Sequence, residues 1–145
     1  MTDKPTALDL PMVDPLPAST QKYFDTCGNK LGIIPNVLQA YAFDIGKLNA
    51  FTAFYNDVML AESGLSKLER EMIAVVVSSI NKCFYCLTAH GAAVRQLSGS
   101  PILGEQLVMN YRSATLNIRH KAMLDFVALM TEFSHRIEET DRDKL

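Results

Sequence analysis

Long apolar runs are absent from this chain. The longest, Met72 to Val77, has six residues, far short of the roughly 20 that a membrane-spanning helix needs. Cysteine is scarce, with three in 145 residues, too few for the disulfide framework of a small secreted domain. Neither charge sign dominates: 14 basic against 16 acidic residues leave a net charge of -2. That balance gives nucleic acid or an anionic membrane no obvious hold. The opening MTDKPTALDLPMVDPLP has no basic start followed by an apolar block, so it does not read as a secretory signal. The expectation is a soluble, cytoplasmic protein, with neither nucleic acid nor a membrane as partner. There are also no internal repeats, no low-complexity segments and no alternating apolar stretch that would make a sheet. What is present is 48% hydrophobic and 21% charged residues, enough for a real core in one all-α domain.

Residues 1–18 carry Pro5, Pro11, Pro15 and Pro17 and no period, which predicts an extended surface arm. Leu8, Leu10, Met12 and Val13 would pack on a neighbour or a partner subunit. The remainder, 19–145, reads as a single compact bundle of about six or seven helices. Ser19 or Thr20 can cap the first, which ends near Gly28 or Gly32. Pro35 opens a short second helix. A third runs from about Ile45 to Ala61, with Gly64 as its stop. Ser66-Lys67-Leu68-Glu69 is a capping box that starts a fourth at about residue 67. Its β-branched run would also suit a buried strand; the capping box and the Glu-Arg-Glu opening favour helix. A fifth covers about Cys83 to Leu97 and a sixth about 102–111, opened by Ser100-Pro101. The last runs from about Asn117 to Ile137 with Met123, Phe126, Val127, Met130, Phe133 and Ile137 as one stripe. The charged tail EETDRDKL is expected to fray.

The chemistry concentrates between Glu71 and His90. On one helix Cys83, Cys86 and His90 fall within about 60° of one another, one and two turns apart. Sulfurs three residues apart can form a disulfide, and the imidazole looks at the same spot. The capping box occupies Glu69 and leaves Glu71 without a local partner. In an unbroken helix Glu71 would lie roughly 18 Å from Cys83. Ser78-Ser79-Ile80-Asn81-Lys82 is turn-prone, however. A reversal centred between Ile80 and Asn81 makes a helical hairpin that puts Glu71 opposite His90. The order Glu71, His90, Cys86, Cys83 is then a proton path to a thiol pair. Such a set suits peroxide reduction: the thiolate attacks, a helix N-terminus lowers a thiol pKa, and a carboxylate orients the histidine. A second thiol converts the sulfenic acid to a disulfide.

LSKLEREMIAVVVSSINKCFYCLTAH resembles the alkylhydroperoxidase D-like branch of the carboxymuconolactone decarboxylase superfamily, in which a Glu precedes C-x-x-C and a His follows. GIIPNVLQAYA and RHKAMLDFVALM resemble its peroxidase-related subgroup, and the likeness covers roughly residues 30–135. The resemblance implies an all-helical homo-oligomer with thiol-dependent hydroperoxide reduction in antioxidant defence. It implies that Cys86 is the peroxidatic thiol, Cys83 the resolving one, and Glu71 and His90 the relay. It also implies recharging by a dithiol donor, lipoyl-like or thioredoxin-like, with no further cofactor. The chain departs from the best-known members at Tyr85, where they carry a polar, titratable residue, and it ends before the extra C-terminal helices of many relatives.

Plainer readings accompany each residue. Cys83 and Cys86 could be two small buried residues, or could join His90 and Glu71 around zinc, although structural zinc sites usually draw a second ligand pair from a distant segment. The expectation is no metal. The same pair could serve a redox-sensing or disulfide-reductase module without peroxidase turnover. Tyr85 reads as a packing residue or pocket wall, Cys27 as a buried or idle thiol, His120 as a structural histidine and His135 as a C-terminal charge partner. So apolar a hairpin predicts a homo-oligomer, dimer or larger.

Overall fold

Helix boundaries follow mainly from short polar residues and glycines at the ends. The structure, a computed structural model, describes residues 6–145; the first five residues of the predicted arm lie outside that range. The described residues form an all-α fold of eight α-helices, α1 Ala18–Leu31, α2 Asn36–Tyr41, α3 Ile45–Leu60, α4 Lys67–Ile80, α5 Phe84–Ser98, α6 Pro101–Asn110, α7 Ile118–Phe133 and α8 Glu139–Arg142, with 3-10 turns at Tyr111–Ser113 and Ser134–Arg136. The chain groups into two compact units, Met1–Ala61 and Glu62–Leu145.

In the first unit, α1 starts after Pro17, not after a Ser19 or Thr20 cap. Thr20 is buried, so it serves packing instead. Gly32, at φ 74°, closes α1 in the left-handed conformation that glycine adopts without a Cβ clash. Pro35 stands just before α2 as its N-cap, one position earlier than predicted. The Asp44 carboxylate accepts the Lys47 N–H at 3.1 Å and caps α3. α3 ends at Leu60, and its cap residue Ala61 is extended and donates to the Asn56 carbonyl. Gly64 therefore lies beyond the stop it was expected to supply. Phe24, Leu38, Ala42 and Leu48 form this unit's core. The arm is tied to it where the Val13 N–H donates to the Ala42 carbonyl at 2.9 Å, while Leu8, Leu10 and Met12 stay exposed.

In the second unit the Ser66–Glu69 capping box forms in both directions: the Ser66 N–H donates to Glu69 Oε2 at 2.8 Å and the Glu69 N–H to Ser66 Oγ at 3.2 Å. α4 is the central helix, with Met72, Val75 and Val76 in a core shared with Val94, Leu107, Tyr111, Met123, Leu124 and Ala128. Burying a side chain of this size contributes about 1.5–3 kcal/mol, which is what holds α5, α6 and α7 around α4. α6 packs closely on α5 at Gly104. A Cβ on Gly104 would lie 2.4 Å from Arg95 Cγ and 3.3 Å from the Gly91 carbonyl oxygen.

Two expectations are corrected here. On α7 the buried line passes through Met123, Leu124 and Ala128, whereas Met130 is 50% exposed and Phe133 is also exposed. The apolar stripe is wider than the face that α4 can cover. The tail is not wholly frayed: Glu138 and Asp141 form a reciprocal capping box that starts α8, and Arg142–Glu139 and Lys144–Asp141 ion pairs span its single turn.

Candidate functional site

The second unit's hairpin carries the site. α4 ends at Ile80, and the reversal occupies Asn81, Lys82 and Cys83, slightly later than predicted. Lys82 sits at φ 55°, a left-handed conformation that costs a residue with a Cβ roughly 1–2 kcal/mol. Three backbone bonds hold it there: Asn81 N–H to the Val77 carbonyl, Lys82 N–H to Ser79 and Cys83 N–H to Ser78, at 3.0, 3.1 and 3.0 Å. Ser79 Oγ also donates to the Val108 carbonyl at 3.0 Å, fixing the end of α4 to α6.

Because the chain reverses here, Glu71 on α4 meets His90 on α5. Glu71 Oε2 is 2.7 Å from His90 Nδ1, with the side chains only 14% and 21% exposed. An ionised carboxylate only accepts hydrogen bonds, so it fixes the imidazole proton on Nδ1 and leaves Nε2 as the basic nitrogen. Cys86 lies four residues before His90, one turn along the same helical face.

Cys83 and Cys86 are joined by a disulfide with their Cα atoms 5.4 Å apart. Cys83 is not the first residue of α5, as the spacing alone predicted. It is the N-cap, in extended conformation, and its sulfur accepts a hydrogen bond from the Cys86 N–H at 3.4 Å. The two cysteines therefore have different backbone settings: Cys83 caps the helix from outside, and Cys86 is the third residue of α5, one turn before His90.

The neighbours are apolar and open. Phe84 is 83% exposed and Tyr85 is exposed beside it, directly between the two cysteines in sequence. Sequence reasoning did not single out Phe84; its place between the two cysteines is the signal it missed. A groove of about 570 Å³ between α7 and α8, lined by Ile118, Phe126, Leu129, Lys121 and Lys144 among others, contains none of the four site residues. Among the described residues, no three of His, Cys, Asp and Glu are grouped to hold a metal ion, and no helix is long and apolar enough to cross a membrane.

Residues 48–102 match the carboxymuconolactone decarboxylase family. The crystal structure of an uncharacterised peroxidase-related protein from Silicibacter sp. TM1040 is 74% identical, with a TM-score of 0.92, over 97% of this chain and 73% of that one. The chain belongs to the alkylhydroperoxidase D-like branch of the carboxymuconolactone decarboxylase superfamily. A second solved relative, described as an alkylhydroperoxidase AhpD core and an uncharacterised peroxidase-related protein from Ralstonia eutropha JMP134, is 36% identical with a TM-score of 0.87, over 95% of this chain and 73% of that one. No curated protein matches the chain.

The remaining titratable candidates of this alkylhydroperoxidase D-like chain have other neighbours. Glu69, buried, takes both Arg119 and His120 on Oε1, the His120 Nε2 contact being 3.3 Å. His120 is thus a structural histidine, and the capping-box carboxylate also anchors α7, a second role that its position in the sequence did not reveal. His135 stands edge-on to Phe133, ring centroids 6.5 Å apart. Cys27 is on α1 of the other unit, where burial pushes its thiol pKa up against a smaller downward pull from Lys30. A thiol held protonated is a poor nucleophile, in line with an idle role.

Proposed function

We propose that the chain is a thiol-dependent peroxidase that reduces alkyl hydroperoxides through Cys83 and Cys86. The observation that carries this reading is the Glu71–His90 pair placed one turn from Cys86, with the second sulfur already bonded to the first. In the reduced protein His90 Nε2 takes the Cys86 proton. The thiolate attacks the hydroperoxide, an S–O bond forms, the O–O bond breaks, and the departing alkoxide leaves as an alcohol with the proton from His90. Cys83 then gives its thiol proton to His90, neutral again, and its thiolate attacks Cys86 Sγ; the S–S bond forms, the S–O bond breaks, and the hydroxide takes that proton from His90 and leaves as water. Glu71 keeps the imidazole in the tautomer that this proton traffic needs and stabilises its charged form. A dithiol, lipoyl-like or thioredoxin-like, restores the thiols, and no other cofactor is required. Tyr85, exposed next to the cysteines, forms part of the pocket wall.

The same reading includes a cytoplasmic homo-oligomer in which residues 19–145 work as one domain. In the second unit, Ile118 and Met130 on α7 are exposed, which supports a covered apolar surface. Light scattering tests the assembly, and a clean monomer would count against it.

Thiol titration before and after one equivalent of an organic hydroperoxide tests the chemistry, with loss of two thiols expected. Cys86→Ser abolishes turnover, whereas Cys83→Ser leaves a sulfenic acid that dimedone traps. Unchanged turnover in Cys86→Ser defeats the assignment. Fast disulfide formation without sustained peroxide consumption on any dithiol would instead mark a redox-sensing or disulfide-reductase module.

A further inference from the structure

The oxidised pair must be reopened by a thiol, and its two sulfurs are not equivalent targets. When a thiolate attacks one sulfur of a disulfide, the other leaves as a thiolate, and the sulfur with the lower thiol pKa leaves faster. Both cysteines are part-exposed, so burial of either residue does not decide which is attacked. Leaving-group stability does. Cys83 caps α5 and its Sγ already accepts the Cys86 N–H at 3.4 Å. Charge developing on that sulfur meets a donor aimed at it and the positive end of the helix macrodipole, with no rearrangement needed. Charge developing on Cys86 forms at the third residue of α5, whose own N–H is already committed to Cys83.

We propose that the reductant attacks Cys86 and that Cys83 is the leaving sulfur, with the Cys86 backbone N–H as the donor that stabilises it. The proposal deepens the redox cycle above and rests on it. In the first step the incoming thiolate forms an S–S bond to Cys86 Sγ, the Cys83–Cys86 bond breaks, and its electron pair stays on Cys83. In the second, the other thiolate of the same dithiol attacks the reductant's own sulfur in the mixed disulfide. The reductant is oxidised to a disulfide, and Cys86 departs as a thiolate that takes a proton from the His90 imidazolium. Cys86 is thus the sulfur that meets both outside reactants, while Cys83 stores charge in each half of the cycle.

The test uses the oxidised full chain and 2-mercaptoethanol as probe. Brief exposure at neutral pH is followed by capping of freed thiols with N-ethylmaleimide and tandem mass spectrometry, which separates the two cysteines by fragmentation at Phe84 and Tyr85. The expected product carries mercaptoethanol on Cys86 and maleimide on Cys83, in excess over the reverse product on the order of tenfold. Equal amounts, or the adduct mainly on Cys83, would overturn the proposal. A second measurement follows thiolate absorbance in Cys86→Ser, where the Cys83 thiol is expected to titrate below the roughly 8.5 of a free cysteine; titration at or above that value also overturns it. Neither measurement involves peroxide. Absence of peroxidase turnover therefore defeats the proposed activity while leaving the exchange result to stand or fall on its own.

Discussion

Replacing Glu71 by Gln probes the hairpin site most directly, because the substitution keeps the shape and removes only the charge. In the native protein Glu71 Oε2 lies 2.7 Å from His90 Nδ1, both groups mostly shielded from water. A hydrogen bond to a charged group contributes about 1.5–3 kcal/mol net. At 1.36 kcal/mol per factor of ten, losing that stabilisation as His90 takes up the thiol proton lowers peroxide turnover by about one to two powers of ten. His90→Ala removes the proposed base and is expected to cost about 10²–10⁴-fold. The decisive measurement is the double variant in a coupled peroxidase assay with a fixed dithiol. If Glu71 acts only through His90, the double variant is no slower than His90→Ala alone, since residues working as a unit are not additive. Additive losses, or Glu71→Gln turning over like the wild type, would refute the relay. Circular dichroism and melting temperature keep a folding defect from passing as a catalytic one. Oxidation by diamide, which needs no relay to an alkoxide, is expected to close the disulfide in every variant.

Three further outcomes test the packing. Leu124→Ala, at a fully buried position, is expected to lower stability by about 2–5 kcal/mol, against less than about 0.5 kcal/mol for Met130→Ala on the exposed side of the same helix; urea denaturation distinguishes them. Gly104→Ala forces a Cβ against Arg95 Cγ and the Gly91 carbonyl, and the α5–α6 contact is expected to lose about 1–3 kcal/mol, read as a lower melting temperature. Tyr111 has its pKa pushed up to about 12 by burial first and then by its hydrogen bond to Asp125. The folded state keeps the phenol proton that the unfolded chain releases above its ordinary value of 10.0. This contribution is therefore complete below pH 10 and falls as pH rises from 10 to 12, by roughly 2–3 kcal/mol at 1.36 kcal/mol per unit. Tyr111→Phe is expected to remove that part of the alkaline slope; an identical slope in both proteins would contradict it.

Local signals were legible where they act over three or four residues. The capping box at Ser66–Glu69 and the Ser100-Pro101 start of α6 both stand where the residues placed them. Signals that depend on partners were read less well. Thr20 looked like a cap and is a core residue. Glu69 looked fully used by its cap and also takes Arg119 and His120. The stripe on α7 was visible as a period, but which edge of it is buried depends on where α4 lies.

The placing of Cys86 and His90 on one helical face was legible in the sequence alone, because i and i+4 positions are neighbours on any helix. So was the pairing of Glu71 with His90, conditional on a bend near Ile80. Only the tertiary structure decided that the bend exists, and that it runs through a left-handed Lys82. It also decided that Cys83 falls outside the helix as its cap while Cys86 falls inside. The reason is physical. Helical spacing is a property of the local backbone, whereas a reversal is stabilised by the packing of α5, α6 and α7 on α4, contacts between residues far apart in the chain. A one-residue difference in where that reversal ends changes which sulfur receives the helix N–H.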